Sequence, residues 1–415
     1  MDPDRSQNNF YISNARWLAA GLLCTLGSSF GQTFFISLFA NQFKDLHGLT
    51  DGTWGSLYAG ATLTSAVLLI KGGQFADTMP LRKLAMIVIC GFAAVCVLMA
   101  SHGAMWALFL AVLGLRFFGQ GMISHVGMTA TARWFQARRG RALAITSLGY
   151  GLGEAILPAI AVLAIAFVGW RGTWLMAAAT ILIVFGGALW FLFARDREPQ
   201  GGETGGLTTG ALGRHWTRPE ALRHWSYWAL FPGILTPAFI GTVVFFHQSH
   251  VSAEKGWSLV EMAAGYPAYA LCAIAAVFIA GRIIDAFGAL ALLPLFLLPI
   301  GLGIVLLQTS DAVWIWGVVL GCVGFGSGFS SALNGAVWAE IYGTRNLGAI
   351  RALAVSAMVF STAIGPAITG LLIDAGIPLE QQGIVMMLWC TGLSVIYVFV
   401  ARKLRALIAA PASET

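Results

Sequence analysis

Residues 73–83 read Gly73-Gln74-Phe75-Ala76-Asp77-Thr78-Met79-Pro80-Leu81-Arg82-Lys83, and residues 281–288 read Gly281-Arg282-Ile283-Ile284-Asp285-Ala286-Phe287-Gly288. Each stretch has a glycine four positions before an aspartate, and the two copies lie 208 positions apart. The same offset carries Trp134 and Gly140 onto Tyr342 and Gly348, and Pro158-Ala159-Ile160 onto Pro366-Ala367-Ile368. Matches between apolar residues would be frequent by chance in this chain. A repeated aspartate, glycine spacing and proline are not, so the two halves read as duplicates.

Long apolar runs separate these landmarks. Of 415 residues, 58% are hydrophobic and only 10% charged, with a mean hydropathy of +0.78, so the solvent for most of the chain is lipid. Apolar stretches of about 20 residues recur while alternating strand patterns do not, which excludes a β-barrel. Runs between polar breaks predict twelve spanning helices at 16–41, 53–74, 83–101, 104–131, 142–168, 173–194, 226–250, 259–283, 288–308, 311–338, 348–372 and 380–401. The 50 glycines and 13 prolines fall largely inside these runs, where close packing and broken helices use them. Met1 to Arg16 carries Asp2 and Asp4 before any apolar run and does not read as a cleavable signal peptide.

With both termini cytoplasmic, 20 Lys and Arg residues fall on inner segments, while Lys44, Arg171 and Lys255 are the three on outer loops. That asymmetry orients the chain and explains its net charge of +6 without nucleic acid. The polar stretch 195–225 divides the helices six and six and reads as a cytoplasmic linker between an N-terminal bundle, 1–194, and a C-terminal bundle, 226–415. The six cysteines, Cys24, Cys90, Cys96, Cys272, Cys322 and Cys390, lie in apolar segments with no CxxC or metal-ligand spacing and read as packing residues.

The loop after the second span is similar to the G-x-x-x-D-R-x-G-R-R/K motif of the major facilitator superfamily, and its echo follows the eighth. The resemblance covers essentially the whole chain. It implies an all-α membrane protein of twelve transmembrane helices in two pseudo-symmetric six-helix bundles, transporting a small solute by alternating access. It assigns gating to Gly73, Asp77, Arg138, Arg139, Gly281, Arg282 and Asp285, through contacts that lock the cytoplasmic side. Physically, glycine lets a helix end approach its neighbour, and the carboxylate can meet a helix N-terminus or an arginine. Thr78 and Pro80 depart from the motif. The segment Trp134-Phe135-Gln136-Ala137-Arg138-Arg139-Gly140-Arg141 and the turn Gly169-Trp170-Arg171 resemble the monocarboxylate and oxalate:formate branches. The carboxylate-binding arginine of those branches has no counterpart, since Val277 stands eight positions before Asp285.

Arg116, in Leu115-Arg116-Phe117-Phe118-Gly119-Gln120-Gly121, resembles the family's buried arginine and lies about twelve residues into the fourth span. A guanidinium at that depth costs several kcal/mol unless it is paired or hydrated, so it should face a cavity or a partner. Glu154 lies at similar depth in the fifth span, and the two are expected to pair. The pair either opens with proton or substrate binding, as a moving arginine would make the carboxyl a proton switch, or is a permanent structural bridge. His125 and His247 are further titratable candidates, although a lone histidine is more often a hydrogen-bonded packing residue. His247 and His250, three apart, are the one weak metal-ligand spacing.

Polar and aromatic residues on the first, fourth, seventh and tenth spans are expected to line the solute site. These are Gln32, Phe35, Gln120, His247 and Asn334, with Tyr58, Tyr266 and Tyr269 on the outer halves of the second and eighth spans. No phosphate loop, metal cluster or nucleophile triad is present, so neither an enzyme nor a cofactor is expected. The chain reads as a monomeric, proton-coupled carrier of a small organic anion such as a monocarboxylate, in a bacterial-type inner membrane. The alternative is an efflux pump for drugs or other toxic compounds; the family's antiporter Gly-Pro motif is absent from the fifth span, where Leu157 precedes Pro158, but a Gly365-Pro366 occurs in the eleventh.

Overall fold

The structure, a computed structural model, describes residues 10–135, 138–195 and 209–409. The chain forms two compact units, Met1–Leu49 with Leu57–Glu203, and Thr50–Ser56 with Thr204–Thr415. Among the described residues, ten helical stretches are long and apolar enough to span a bilayer. One, Gly140–Leu192, breaks at Gly169, where φ is 71° and ψ 169°, and supplies the fifth and sixth spans. The remaining expected span, 288–308, is regular only over Leu298–Leu306. Before it, Ala289–Ala291 is a 3₁₀ turn and 292–297 is a run of turns. Pro294 and Pro299 lack the amide protons that a continuous helix would need there.

The 208-residue repeat extends into details that periodicity does not reach. Phe39 and His247 both interrupt a helix with near-identical backbones, at φ −101° and ψ 6°, and φ −88° and ψ 9°. Gly48 and Gly256 then end the short helices Ala40–His47 and Gln248–Lys255 in the left-handed conformation, which costs little at glycine.

In the first unit, small residues bring backbones together. A Cβ on Gly149 of the fifth span would sit 2.7 Å from Leu26 N in the first span, so only glycine fits. At the Gly48 end, the buried His102 imidazole is enclosed by Phe43, His47 and Trp170, with ring centroids 5.7, 5.2 and 5.6 Å away. Its Nδ1–H donates to the Met99 carbonyl at 2.6 Å.

In the second unit, much of the stretch expected to be a linker is packed structure, while 196–208 lies outside the described residues. Trp216 N donates to Tyr342 O at 3.1 Å, and Asn346 Nδ2 to Trp216 O at 2.8 Å. Thr217 and Glu220 form a capping box for the turn Arg218–Arg223. The anchors of residues 209–225, Gly210 and Trp216, are set by tertiary contact, which polarity does not reveal.

Burial holds the His102 imidazole below the ordinary histidine range, the bond to Met99 opposes this, and the charges of His47 and Arg171 add to it. A lowered value means the fold prefers the neutral ring. That stability is complete above the ordinary value near 6.5 and is lost as pH falls through it towards the folded value. Melting temperature measured at pH 7 and pH 5 should therefore drop by a few degrees more for the unmodified protein than for His102→Phe.

Candidate functional site

The first span is not continuous. Ala15–Gly27 gives way to a 3₁₀ turn over Ser28–Gly31, and Gln32 is extended at φ −83° and ψ 156° before Thr33–Ile36 resumes. Facing it, the fourth span widens to π-helical geometry over Leu115–Ile123. Both departures leave backbone groups outside the regular ladder, which is tolerated in lipid only where protein or a cavity satisfies them. They meet at Gly31, where a Cβ would run into the Leu115 carbonyl and come within 2.8 Å of Gln120 N and Gly119 Cα.

Arg116 uses the freed carbonyl. Its buried guanidinium donates to Gly31 O and to Thr33 Oγ1, both at 3.4 Å. Tyr58 joins the cluster, with its hydroxyl 2.6 Å from Thr33 Oγ1 and its ring centroid 5.3 Å from the Arg116 Cζ. Arg116 Nε and Ser29 Oγ are buried without a hydrogen-bond partner among the described residues. The cluster is cationic, and every acceptor named for it is neutral.

The expected Arg116–Glu154 pair does not form: no ion pair within 4.0 Å joins them among the described residues. The broken segment lies between the two helices at this level. Gly31 meets Leu115 and Gly119 of the fourth span, while Ser29 packs against Gly153, the residue before Glu154. Gln32 and Gln120 both stand at the irregular backbone and are partly exposed. Phe35 is instead aromatic core, edge-on to Phe30 and Trp174 at 5.2 Å each.

In the second unit, His247 sits at the helix interruption, its Nε2 2.7 Å from Thr369 Oγ1. His250 turns to Asp51 and Glu254. Tyr266 donates to Gln248 Oε1 at 2.5 Å, and Tyr269 packs edge-on to Phe245. Asn334 Nδ2 lies 3.4 Å from Ser330 Oγ, one turn back on its own helix. A 770 Å³ crevice lined by Cys272, Leu298, Trp314, Cys322, Phe325 and Met387 is almost wholly apolar and holds none of these groups.

Among the residues expected to gate, Gly73 is engaged, its carbonyl 3.2 Å from His125 Nε2. This contact gives His125 a local partner. Arg138 begins the fifth span with its guanidinium 5.1 Å from the Phe10 ring. The side chains of Asp77 and Arg139 lie outside what is described. Gly281 does not serve close approach, for a Cβ there would meet nothing within 4 Å. Arg282 and Asp285 are exposed and form no ion pair among the described residues. The carboxylate that does cap a neighbouring turn is Glu340, accepting from Ala289 N at 2.6 Å. Glu340 had no signal in the motif, because it lies 55 residues beyond Asp285.

The model of the Major Facilitator Superfamily matches residues 21–366. The chain belongs to that superfamily. It is accordingly a multi-pass membrane transporter and not an enzyme. Among curated relatives, it is 28% identical to the oxalate:formate antiporter of Oxalobacter formigenes over 38% of this chain and 37% of that protein. It is also 28% identical to the MFS transporter asaE of Aspergillus flavus over 46% of this chain and 44% of that one. These matches span less than half of either relative. Solved structures of a bacterial homolog of the human lysosomal transporter Spinster share the fold, at 16% identity and TM-scores of 0.72 and 0.70. In both, 96% of this chain is covered, with 99% and 97% of the other.

Because the atoms around the Gly31 site are backbone, they cannot rotate away. Gly31→Val should lower the melting temperature of the purified transporter by several degrees, in line with overpacking costs of about 1–3 kcal/mol. Gly151→Ala, where a Cβ meets nothing within 4 Å, should leave it unchanged.

Proposed function

We propose that this transporter carries a small organic anion, coupled to protons, by alternating access. The observation that carries the reading is the buried Arg116 guanidinium, held by two long hydrogen bonds to neutral oxygens, with its Nε unpartnered among the described residues. A buried arginine is stabilised best by a bidentate anion, and a carboxylate reaching Nε would complete its shell. Ser29 Oγ supplies a second unpartnered polar group close to Glu154. Gln32, Tyr58 and Gln120 complete the lining in the first unit, with His247 and Asn334 as polar candidates in the second. The similarity to an oxalate:formate antiporter, whose named solutes are carboxylates, supports the class without naming the solute.

Glu154 is the proton site in this reading. Among the described residues Glu154 forms no ion pair within 4.0 Å, and Arg116 is bonded instead to Gly31 and Thr33. Movement of the broken segment would expose the carboxyl to the arginine and release the proton. Gly73, Arg138, Arg282 and Asp285 are assigned to gating, the last two by contacts formed in another conformation. The basic bias of the segments around Arg133–Arg141 and Arg195–Arg223 supports cytoplasmic termini in a bacterial-type inner membrane.

A second reading, export of apolar compounds, is favoured by a 500 Å³ crevice in the second unit, lined by Phe231, Phe239, Val385 and Trp389 with Thr236 and Ser361 as its polar groups. Thermal stabilisation of the purified protein separates the two readings. Carboxylates should stabilise it, and stabilisation by lipophilic cations alone would sink the anion reading.

In proteoliposomes with an imposed pH gradient, Arg116→Gln should reduce uptake of the stabilising carboxylate on the order of a hundredfold. Glu154→Gln should keep gradient-free exchange but lose the gradient-driven component. Undiminished gradient-driven uptake by Glu154→Gln rules it out as the proton carrier.

A further inference from the structure

In the second unit, the segment before the seventh span brings three nitrogen donors together. Trp216 is buried and held at both ends of its backbone, its N donating to Tyr342 O at 3.1 Å and its O accepting from Asn346 Nδ2 at 2.8 Å. A row of rings starts from it. The His224 centroid lies 4.9 Å from that of Trp216, and the Trp225 centroid lies 5.6 Å from that of His224. A cation closes each end of the row. Arg214 Cζ stands 4.4 Å from the Trp216 centroid, and Lys403 Nζ, from the last span Leu379–Ala409, stands 4.5 Å from the Trp225 centroid. An aromatic face attracts a cation without neutralising it, as a carboxylate would.

His224, between the two charges, adds a donor of its own. Its Nδ1 accepts from Ser226 N at 3.4 Å, capping the seventh span, so the neutral ring carries its proton on Nε2. Burial holds this imidazole below the ordinary histidine range, and the charges of Arg214 and Lys403 add to the effect. One carboxylate touches the group: Glu220 accepts from Arg214 at 3.1 Å through Oε1, and from Thr217 N and Oγ1 at 2.7 Å each through Oε2. Glu220 is the single acidic residue in 209–225, and 381–409 contains none. Arg218, Arg223, Arg402, Lys403 and Arg405 are exposed and form no ion pair among the described residues.

The group lies at the depth of lipid headgroups. Trp225 opens the span Trp225–Phe246. The last span has 31 residues, about 46 Å at 1.5 Å per residue, against a hydrocarbon core of about 30 Å, so its final turns carry Arg402, Lys403 and Arg405 past the hydrocarbon. Trp228, one turn into the seventh span and 51% exposed, donates its indole N–H to Leu222 O at 2.8 Å, as a tryptophan at a membrane interface does.

We propose that Arg214, His224 and Lys403 form a site for the phosphate of an anionic phospholipid, whose headgroup ties the segment 209–225 to the last span. A phosphodiester brings acceptor oxygens and negative charge to a set made only of N–H donors, and the exposed arginines around it favour an anionic headgroup over a zwitterionic one. A free phosphate ion offers the same oxygens, but the phosphates concentrated at this depth are those of the bilayer. The site involves neither Arg116 nor Glu154, so it stands or falls apart from the proposed transport reaction.

Native mass spectrometry of the full-length transporter released from detergent micelles tests the site, with phosphatidylglycerol, phosphatidylcholine and inorganic phosphate titrated separately. The unmodified protein should bind phosphatidylglycerol more tightly than phosphatidylcholine. Lys403→Gln, at an exposed position, and Arg214→Gln should each weaken phosphatidylglycerol binding on the order of fivefold. Lys403→Arg should retain it, and Lys83→Gln, which removes an exposed charge from the first unit, should leave it unchanged. Equal weakening by Lys83→Gln means diffuse surface charge and overturns the site, as does phosphatidylglycerol binding no tighter than phosphatidylcholine. Inorganic phosphate that binds as tightly as phosphatidylglycerol, and is lost in Lys403→Gln, overturns the lipid as ligand. If Arg214→Gln does not fold, undiminished binding by Lys403→Gln overturns the proposal by itself.

Discussion

Gly31 lies against the Leu115 carbonyl and Gly119 with no room for a side chain, and the chemistry of the first unit rests on that approach. Two irregular backbones can meet in a bilayer only if each satisfies the groups the other frees or hands them to a side chain. Here the break in the first span releases the Gly31 carbonyl, and Arg116 takes it from the π-helical face opposite. The same approach places Thr33 and Tyr58 around the guanidinium and leaves Arg116 Nε without a hydrogen-bond partner among the described residues. A side chain on Gly31 would separate the two segments and strand a charge in lipid.

Much of the architecture was legible because spanning a bilayer demands long apolar runs and duplication leaves a fixed offset. The 208-residue spacing read from an aspartate and a proline reappears in backbone torsions at Phe39 and His247, and at Gly48 and Gly256. Hydropathy failed where composition and hydrogen bonding part company. Residues 289–297 are as apolar as any span, yet prolines leave them as turns. Residues 209–225 are polar, yet Trp216 and Asn346 tie them into the second unit.

The candidate site was legible in its charges and not in its partners. Depth along a span identified Arg116 as a residue needing a neighbour, but depth says nothing of azimuth or of what intervenes. Ser29 and Gly31, small residues on either side of Phe30, occupy the space between Arg116 and Glu154. The run Gly27-Ser28-Ser29-Phe30-Gly31-Gln32 carried the available signal, being small and polar inside an apolar stretch. Gly281 shows the converse, a motif glycine with open space where a close contact was expected. Glu340 and Asp51, the carboxylates that meet Ala289 and His250 from distant helices, have no local spacing to mark them.

Duplication also separates what the scaffold fixes from what the side chains decide. Phe39 and His247 occupy the same interruption, yet Phe39 packs among Phe35, Phe43 and Trp174 while His247 bonds to Thr369. A helix break needs its freed backbone groups satisfied but does not specify by what, so an inherited break can be filled with rings in one half and polar groups in the other. The Gly31 break has no such twin: the offset carries it onto the regular helix at Phe239, and Arg116 onto Gly324. The buried cation and the backbone that holds it therefore belong to one half alone. A repeat that was symmetric in torsions has become asymmetric in charge at the site where the solute is proposed to bind.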